Sequence, residues 1–223
     1  MDRHDVLRRI SEVGVIPVVR AASSEEAIQV IEALQLGGLS ILEITMTVPG
    51  AVSVIEEVAN RYGDKVVVGA GTVLDPDTAR ACMLAGASFI VSPSLNIQTI
   101  ELCRRDSIPV FPGALTPTEV VTAWQAGADA VKVFPCGAVG GAKYLASLKA
   151  PLPQVEMIPT GGVSLATAAD FIAAGAFALG VGTDLVDLSA IRSGQPEKVA
   201  AATRAYIAAV AQARGVNLSE PPA

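Results

Sequence analysis

Histidine is almost missing from this 223-residue chain. His4 is the only one, close to the first residue. That excludes Ser-His-Asp catalysis, histidine-ligated zinc and histidine acid–base chemistry as organising principles. Cysteine is scarce too: Cys82, Cys103 and Cys136 are an odd number at spacings that match no metal knuckle. No disulfide framework and no metal site are expected, and a reducing cytoplasm is the default compartment. Aromatic residues make up 4%, and the single tryptophan, Trp124, reads as a packing residue. Basic charge is not in excess. The formal net charge is −6, which gives no footprint for nucleic acid. It does not exclude a small anion, because backbone dipoles bind phosphate whatever the net charge. The longest weakly polar run, Phe171–Gly182, is too short to span a bilayer and contains three glycines. The opening MDRHDVLRRI has no apolar signal core. The expectation is a cytoplasmic protein with neither membrane nor nucleic-acid partner.

What is abundant is core material. Hydrophobic residues make up 51% and charged residues 17%, and the chain has 20 glycines. The length suits one large domain over residues 1–223, with a short leading helix over 2–13 and a loosely packed tail, VNLSEPPA. Between them short apolar, β-branched runs alternate with helical patterns. Strands are expected at 15–19, 40–45, 66–69, 88–92, 108–111, 129–134, 154–158 and 177–180. Helices are expected at about 24–36, 49–62, 75–84, 97–105, 116–125, 140–148, 164–174 and 197–213. Thr116 and Glu119 have capping-box spacing. Regular alternation implies a parallel sheet, and eight units imply an α/β protein of the closed (β/α)8 TIM-barrel type. The alternative, an open doubly wound sheet, is weakened because no G-x-G-x-x-G follows the first strand.

In such a barrel, chemistry sits on the loops at the strand C-terminal ends. The strand Ala130–Phe134 carries Lys132 among apolar neighbours. A buried ammonium is costly, so a lysine there is paired, snorkels out, or serves as a neutral amine, the nucleophile of Schiff-base chemistry. Glu43 lies inside the equally apolar Leu42-Glu43-Ile44. It is either the ion-pair partner of Lys132 or a proton shuttle whose pKa is raised by burial. Arg20 ends the first strand and is an anion ligand at the mouth or a surface ion-pair member. Thr72, in Gly-Ala-Gly-Thr-Val, either orients a carboxylate or caps the next helix. The loops Pro-Thr-Gly-Gly-Val-Ser and Gly-Val-Gly-Thr-Asp-Leu follow the last two strands, where barrels bind phosphate on glycine N–H groups. Thr183 adds a hydroxyl donor there, or both loops are ordinary turns. Cys136 reads as a small packing residue.

LEIT, GAGTVLDP, IVSP, PGALTPTE, VKVFP, PTGGV and GVGTDLV occur in this order. Together, over about Val15 to Asp187, they resemble the KDPG/KHG aldolase family (2-keto-3-deoxy-6-phosphogluconate and 4-hydroxy-2-oxoglutarate aldolases). The resemblance implies a class I aldolase on a (β/α)8 barrel, a homotrimer with no metal or cofactor, acting on a small, phosphorylated keto acid. It implies that Lys132 forms the Schiff base and Glu43 is the acid/base. Thr72, Ser92 and Pro93 would surround the pyruvate-derived part, with Phe134 of the lysine motif and Thr160 lining the mouth. Gly161, Gly162, Gly182 and Thr183 would hold the phosphate. One departure stands out. Well-known KDPG aldolases carry an arginine four residues after the glutamate, where this chain has Thr47. There that arginine neutralises the substrate carboxylate, so here either Arg20 supplies the charge from strand one or the substrate differs. A branch acting on the galactonate epimer, KDPGal, also lacks that arginine. A phosphate-binding barrel isomerase or synthase, with no covalent lysine chemistry, is the rival reading.

Overall fold

The computed structural model describes residues 1–216; the rest of the tail expected to pack loosely lies outside the described residues. The strands are β1 (Val15–Val19), β2 (Ile41–Thr45), β3 (Val67–Gly71), β4 (Phe89–Val91), β5 (Val110–Phe111), β6 (Gly113–Ala114), β7 (Val131–Val133), β8 (Met157–Pro159) and β9 (Leu179–Val181). The helices are α1 (Arg3–Val13), α2 (Ser24–Leu36), α3 (Ala51–Tyr62), α4 (Pro76–Leu84), α5 (Ile97–Arg105), α6 (Pro117–Ala126), α7 (Ala142–Lys149), α8 (Ala168–Ala173), α9 (Leu188–Arg192) and α10 (Pro196–Ala213).

All strand pairs are parallel. They run in the order β5-β4-β3-β2-β1-β9, and β6-β7-β8. Two seams join these runs into a ring. A bridge between Thr160 and Gly180 links β8 to β9. On the other side β5 and β6 are one strand position interrupted at Pro112, which has no N–H to give a ladder but whose carbonyl accepts from Lys132 N–H at 2.9 Å. The expected eight-stranded barrel is therefore present, with its fifth strand in two pieces.

Local chemistry explains where the elements start. Side chains of Asp2, Ser23, Asp75, Asn96 and Asp187 cap α1, α2, α4, α5 and α9. Thr116 and Glu119 form the full capping box of α6. Three expectations need correction. The helix expected over 164–174 shrinks to α8, because Ser164 N–H and the Thr167 hydroxyl close a turn that competes with the helix. Helix α9 is short, capped by Asp187, and went unexpected in the run after the last strand. Trp124 does not pack inside. The buried stripe of α6 passes through Val120 and Ala123, and Trp124 flanks it, 41% exposed.

Alternation divides each strand between two cores. Outward residues such as Val19, Leu42, Ile44, Val68 and Ile90 pack under the helices. Inward residues Ile16, Ile41, Val67, Phe89, Phe111 and Ile158 fill the lower half of the barrel. Val6 and Ile10 of α1 join that inner cluster, so the leading helix stoppers the N-terminal end. Arg3 pairs with the nearly buried Asp129 carboxylate, at 2.6 Å, and fixes α1 there. No described helix is long and apolar enough to cross a membrane.

Candidate active site

Two residues beyond the apolar inner layer, on the same face, the residue types change. Ile41 gives way to Glu43, Ala130 to Lys132, Ile158 to Thr160, Phe111 to Gly113 and Ala178 to Gly180. This is the upper half of the barrel, open at the strand C-terminal ends.

Glu43 and Lys132 are 2% and 3% exposed. They do not form the ion pair that was one of the two expectations: no lysine nitrogen lies within 4.0 Å of the Glu43 carboxylate. Glu43 Oε1 is buried with no hydrogen-bond partner among the described residues. Burial pushes the Glu43 pKa up, and the more distant charges of Lys132 and Arg20 pull it partly back. Lys132 Nζ lies 5.4 Å from the centre of the Phe134 ring, within cation–π reach. The carboxylate owes its place to a residue that sequence reasoning passed over. A Cβ on Gly71 would stand 2.0 Å from Glu43 Oε1, so the glycine that ends β3 is the space the carboxylate occupies. The signal was present in Gly-Ala-Gly-Thr, but only the β2–β3 register, with Thr45 opposite Gly71, connects it to Glu43.

Beside this pair lies a cavity of about 350 Å³. It is lined by Arg20, Phe134, Thr160, Gly161, Gly162, Gly182 and Thr183 among others, so seven of the expected site residues share one space. Arg20 is the only cationic side chain among its lining residues. Gly161 and Gly162 have φ of +81° and +80°, a region that favours glycine. The loop after β7 is stitched to them: Cys136 N–H donates to Thr160 O at 2.9 Å and Gly137 N–H to Gly161 O at 2.8 Å. A Cβ on Gly137 would meet Gly162 Cα at 2.8 Å, so both loops need glycine at their contact. The Phe134–Pro135 peptide is cis.

Thr72, Ser92 and Pro93 stand apart from that cavity. Thr72 is half-buried with φ of +58°. It does not cap the following helix, because Asp75 does. Ser92 is buried and its hydroxyl has no partner among the described residues. Strand alternation sets it on the side of Ile90, under the helices, whereas Val91 joins the inner cluster. Pro93 is half-buried, and its carbonyl oxygen is what a Cβ on Gly113 would strike, at 2.3 Å. Cys136 is buried, as expected of a packing residue, and burial pushes its thiol up to about 11. Cys82 and Cys103 are also free and buried. Among the described residues no cluster of histidine, cysteine or carboxylate side chains could hold a metal ion.

Comparison with known proteins points one way. The family model described as KDPG and KHG aldolase matches residues 6–202. The chain is 34% identical over 201 residues to 2-dehydro-3-deoxy-6-phosphogalactonate aldolase of Escherichia coli strain K12, covering 90% of this chain and 98% of that one. It is 33% identical over 194 residues to 2-dehydro-3-deoxy-phosphogluconate aldolase of Dickeya dadantii, covering 87% and 91%. The crystal structure of KDPG aldolase from Legionella pneumophila, with pyruvate captured at low pH as a covalent carbinolamine intermediate, matches with a TM-score of 0.83 at 28% identity. That match covers 90% of this chain and 97% of that one.

Proposed function

Since the chain belongs to the KDPG and KHG aldolase family, and is thus a carbon–carbon lyase, we propose that it cleaves 2-dehydro-3-deoxy-6-phosphogluconate by Schiff-base chemistry. The products are pyruvate and glyceraldehyde 3-phosphate. It also cleaves 4-hydroxy-2-oxoglutarate, to pyruvate and glyoxylate. The observation that carries this reading is the pair of buried, unbridged groups in the upper barrel: among the described residues, Lys132 has no carboxylate within 4.0 Å and Glu43 has an unpartnered oxygen. An ion pair kept for structure would be closed, whereas these two groups are not in contact.

The Lys132 amine attacks the C2 ketone. Glu43, protonated more readily than an ordinary glutamate because it is buried, gives a proton to the departing hydroxyl of the carbinolamine. Its carboxylate then removes the proton of the C4 hydroxyl. The C3–C4 bond breaks, its electrons passing into the protonated imine, and the aldehyde leaves. The enamine takes a proton at C3, and hydrolysis releases pyruvate and restores Lys132. The imine is the electron sink, so the reaction as written calls for no metal or cofactor. Arg20, Gly161, Gly162, Gly182 and Thr183 receive the distal phosphate, and Thr160 and Phe134 flank the path from it to Lys132. Thr72 and Pro93 border the pyruvate end. We place the enzyme in the cytoplasm as a homotrimer.

A second reading concerns only the epimer. Thr47 in place of arginine, and an identity to the galactonate-type relative that matches the identity to the gluconate type, support cleavage of KDPGal. The ratio of kcat/KM for the two epimers decides it. The chemistry is tested by borohydride reduction in the presence of pyruvate, followed by peptide mass spectrometry. A pyruvate-derived adduct on Lys132, lost in a folded Lys132→Met variant, is expected. Folded protein without an adduct overturns the aldolase mechanism and favours a phosphate-binding isomerase.

A further inference from the structure

The rim of the phosphate-side cavity carries a carboxylate. Asp184 follows Thr183 and lines the same space as Arg20, Gly162 and Gly182. An anion beside an anion site is unfavourable unless it does something else. Here a single oxygen, Asp184 Oδ2, accepts from two donors on two other elements. One is Leu165 N–H, in the loop after β8, at 3.1 Å. The other is the hydroxyl of Tyr206 on α10. Tyr206 is fully buried in the outer core, and α10 packs on α2 and α8, so its hydroxyl is a fixed point.

The two loops that flank the cavity depend on this contact. The loop after β8 is tied to the loop after β7 through Gly161 O. The loop after β9 bonds to itself, with Leu185 and Val186 N–H groups both donating to Gly182 O. Among the described residues, the one hydrogen bond between residues 161–167 and residues 182–187 is Leu165 N–H to Asp184. We propose that Asp184 and Tyr206 are positioning residues that fix the spacing of the two loops, and with it the fit of the substrate's distal phosphate, without touching the reacting carbons. This rests on the aldolase reading above and deepens it. Two donors on one carboxylate oxygen also disperse its charge.

The test compares substrates with and without a phosphate. Tyr206→Phe keeps the buried ring and removes only the hydroxyl. It is expected to raise KM for whichever phosphorylated epimer the protein cleaves by about tenfold, the scale of one hydrogen bond to a charged group. The kcat for that substrate, the KM for 4-hydroxy-2-oxoglutarate and the yield of the pyruvate adduct on Lys132 are expected to stay within about twofold. Asp184→Asn is expected to act in the same direction, and the double variant to be no worse than the worse single one, since both break one network. A purely structural role would move both substrates together. Equal changes in the two KM values, no change in the phosphorylated KM, or a fall in it on Asp184→Asn would each overturn the proposal. Failure of the unsubstituted protein to form the adduct would overturn the aldolase reading instead, so the two are told apart.

Discussion

Gly71→Ala is the smallest change that should separate chemistry from folding in this barrel. Gly71 has a strand backbone that alanine adopts freely, so the new methyl is the whole perturbation. It would lie 2.0 Å from Glu43 Oε1, 2.7 Å from Cδ and 2.8 Å from Cγ. Ordinary contact begins near 3.4 Å, so the carboxylate must move by about 1.4 Å. It can move without breaking a hydrogen bond, since Glu43 Oε1 has no partner among the described residues. The stability cost therefore belongs at the low end of overpacking, about 1 kcal/mol. Catalysis is less forgiving, because misplacing an acid–base group by about 1 Å costs on the order of 10²-fold. Gly69→Ala, two residues earlier in the same strand, is the control. Its methyl would stand 2.2 Å from the Phe89 ring in the lower barrel, where nothing can yield. That variant should lose more stability, about 2–3 kcal/mol, and keep its kcat per folded molecule. Steady-state turnover and urea denaturation on both variants read the two effects. If Gly71→Ala turns over within about threefold of the parent, Glu43 is not held by that glycine in the way argued, or is not the acid–base group.

Two further predictions concern charge. Because burial holds the folded pKa of Glu43 above its unfolded value, its contribution to stability is full below the unfolded pKa. It falls by about 1.4 kcal/mol per pH unit as pH rises, and is gone above the folded pKa. Glu43→Gln has no proton to lose, so its stability relative to the parent should grow between about pH 4 and pH 8, while kcat drops by about 10² or more. Denaturation midpoints at the two pH values check this, and a constant difference would refute it. Arg20→Ala should raise KM for the phosphorylated substrate by roughly 10- to 100-fold, the worth of one charge-assisted contact. Unchanged kcat/KM for every keto acid would remove Arg20 from the site.

Much of this was legible in the sequence because barrel strands follow local rules. Lys132 and Glu43 stood out as charges inside apolar runs, and the rhythm of short β-branched segments and capped helices fixed which strand end each would occupy. What stayed hidden depends on distances that no linear pattern encodes. Lys132 and Glu43 read as natural partners, yet they sit more than 4.0 Å apart. Their separation is set by where β2 and β7 fall in the ring. Pro112 looked like the end of a strand, whereas its missing N–H only divides one. Thr72 read equally as a carboxylate ligand or a helix cap, but with φ of +58° the backbone turns there and Asp75 takes the capping part three residues later. Asp184 and Tyr206 are 22 residues apart in sequence, and nothing in either neighbourhood announces the other.

The glycines of the upper barrel show how one sheet reconciles packing with function. In the lower layer each of the eight strand positions contributes a bulky apolar side chain or alanine, and the interior is closed. In the upper half, β3, β6 and β9 present Gly71, Gly113 and Gly180. Each missing Cβ would fall on a group of a neighbouring strand or loop: Glu43 Oε1 at 2.0 Å, the Pro93 carbonyl oxygen at 2.3 Å and Thr160 Oγ1 at 2.1 Å. The glycines are therefore not simply places where the chain is thin. Each is the socket for a polar group carried by an adjoining strand or loop, and together they make room for the Glu43 carboxylate, the Pro93 carbonyl and the Thr160 hydroxyl. The same logic predicts which alanine does what. At Gly71 it should disturb proton transfer. At Gly180 it should push Thr160 off the wall between Lys132 and the phosphate loops, and raise KM before it lowers kcat. At Gly113 it would strike backbone, which cannot rotate aside, so folding itself should suffer first.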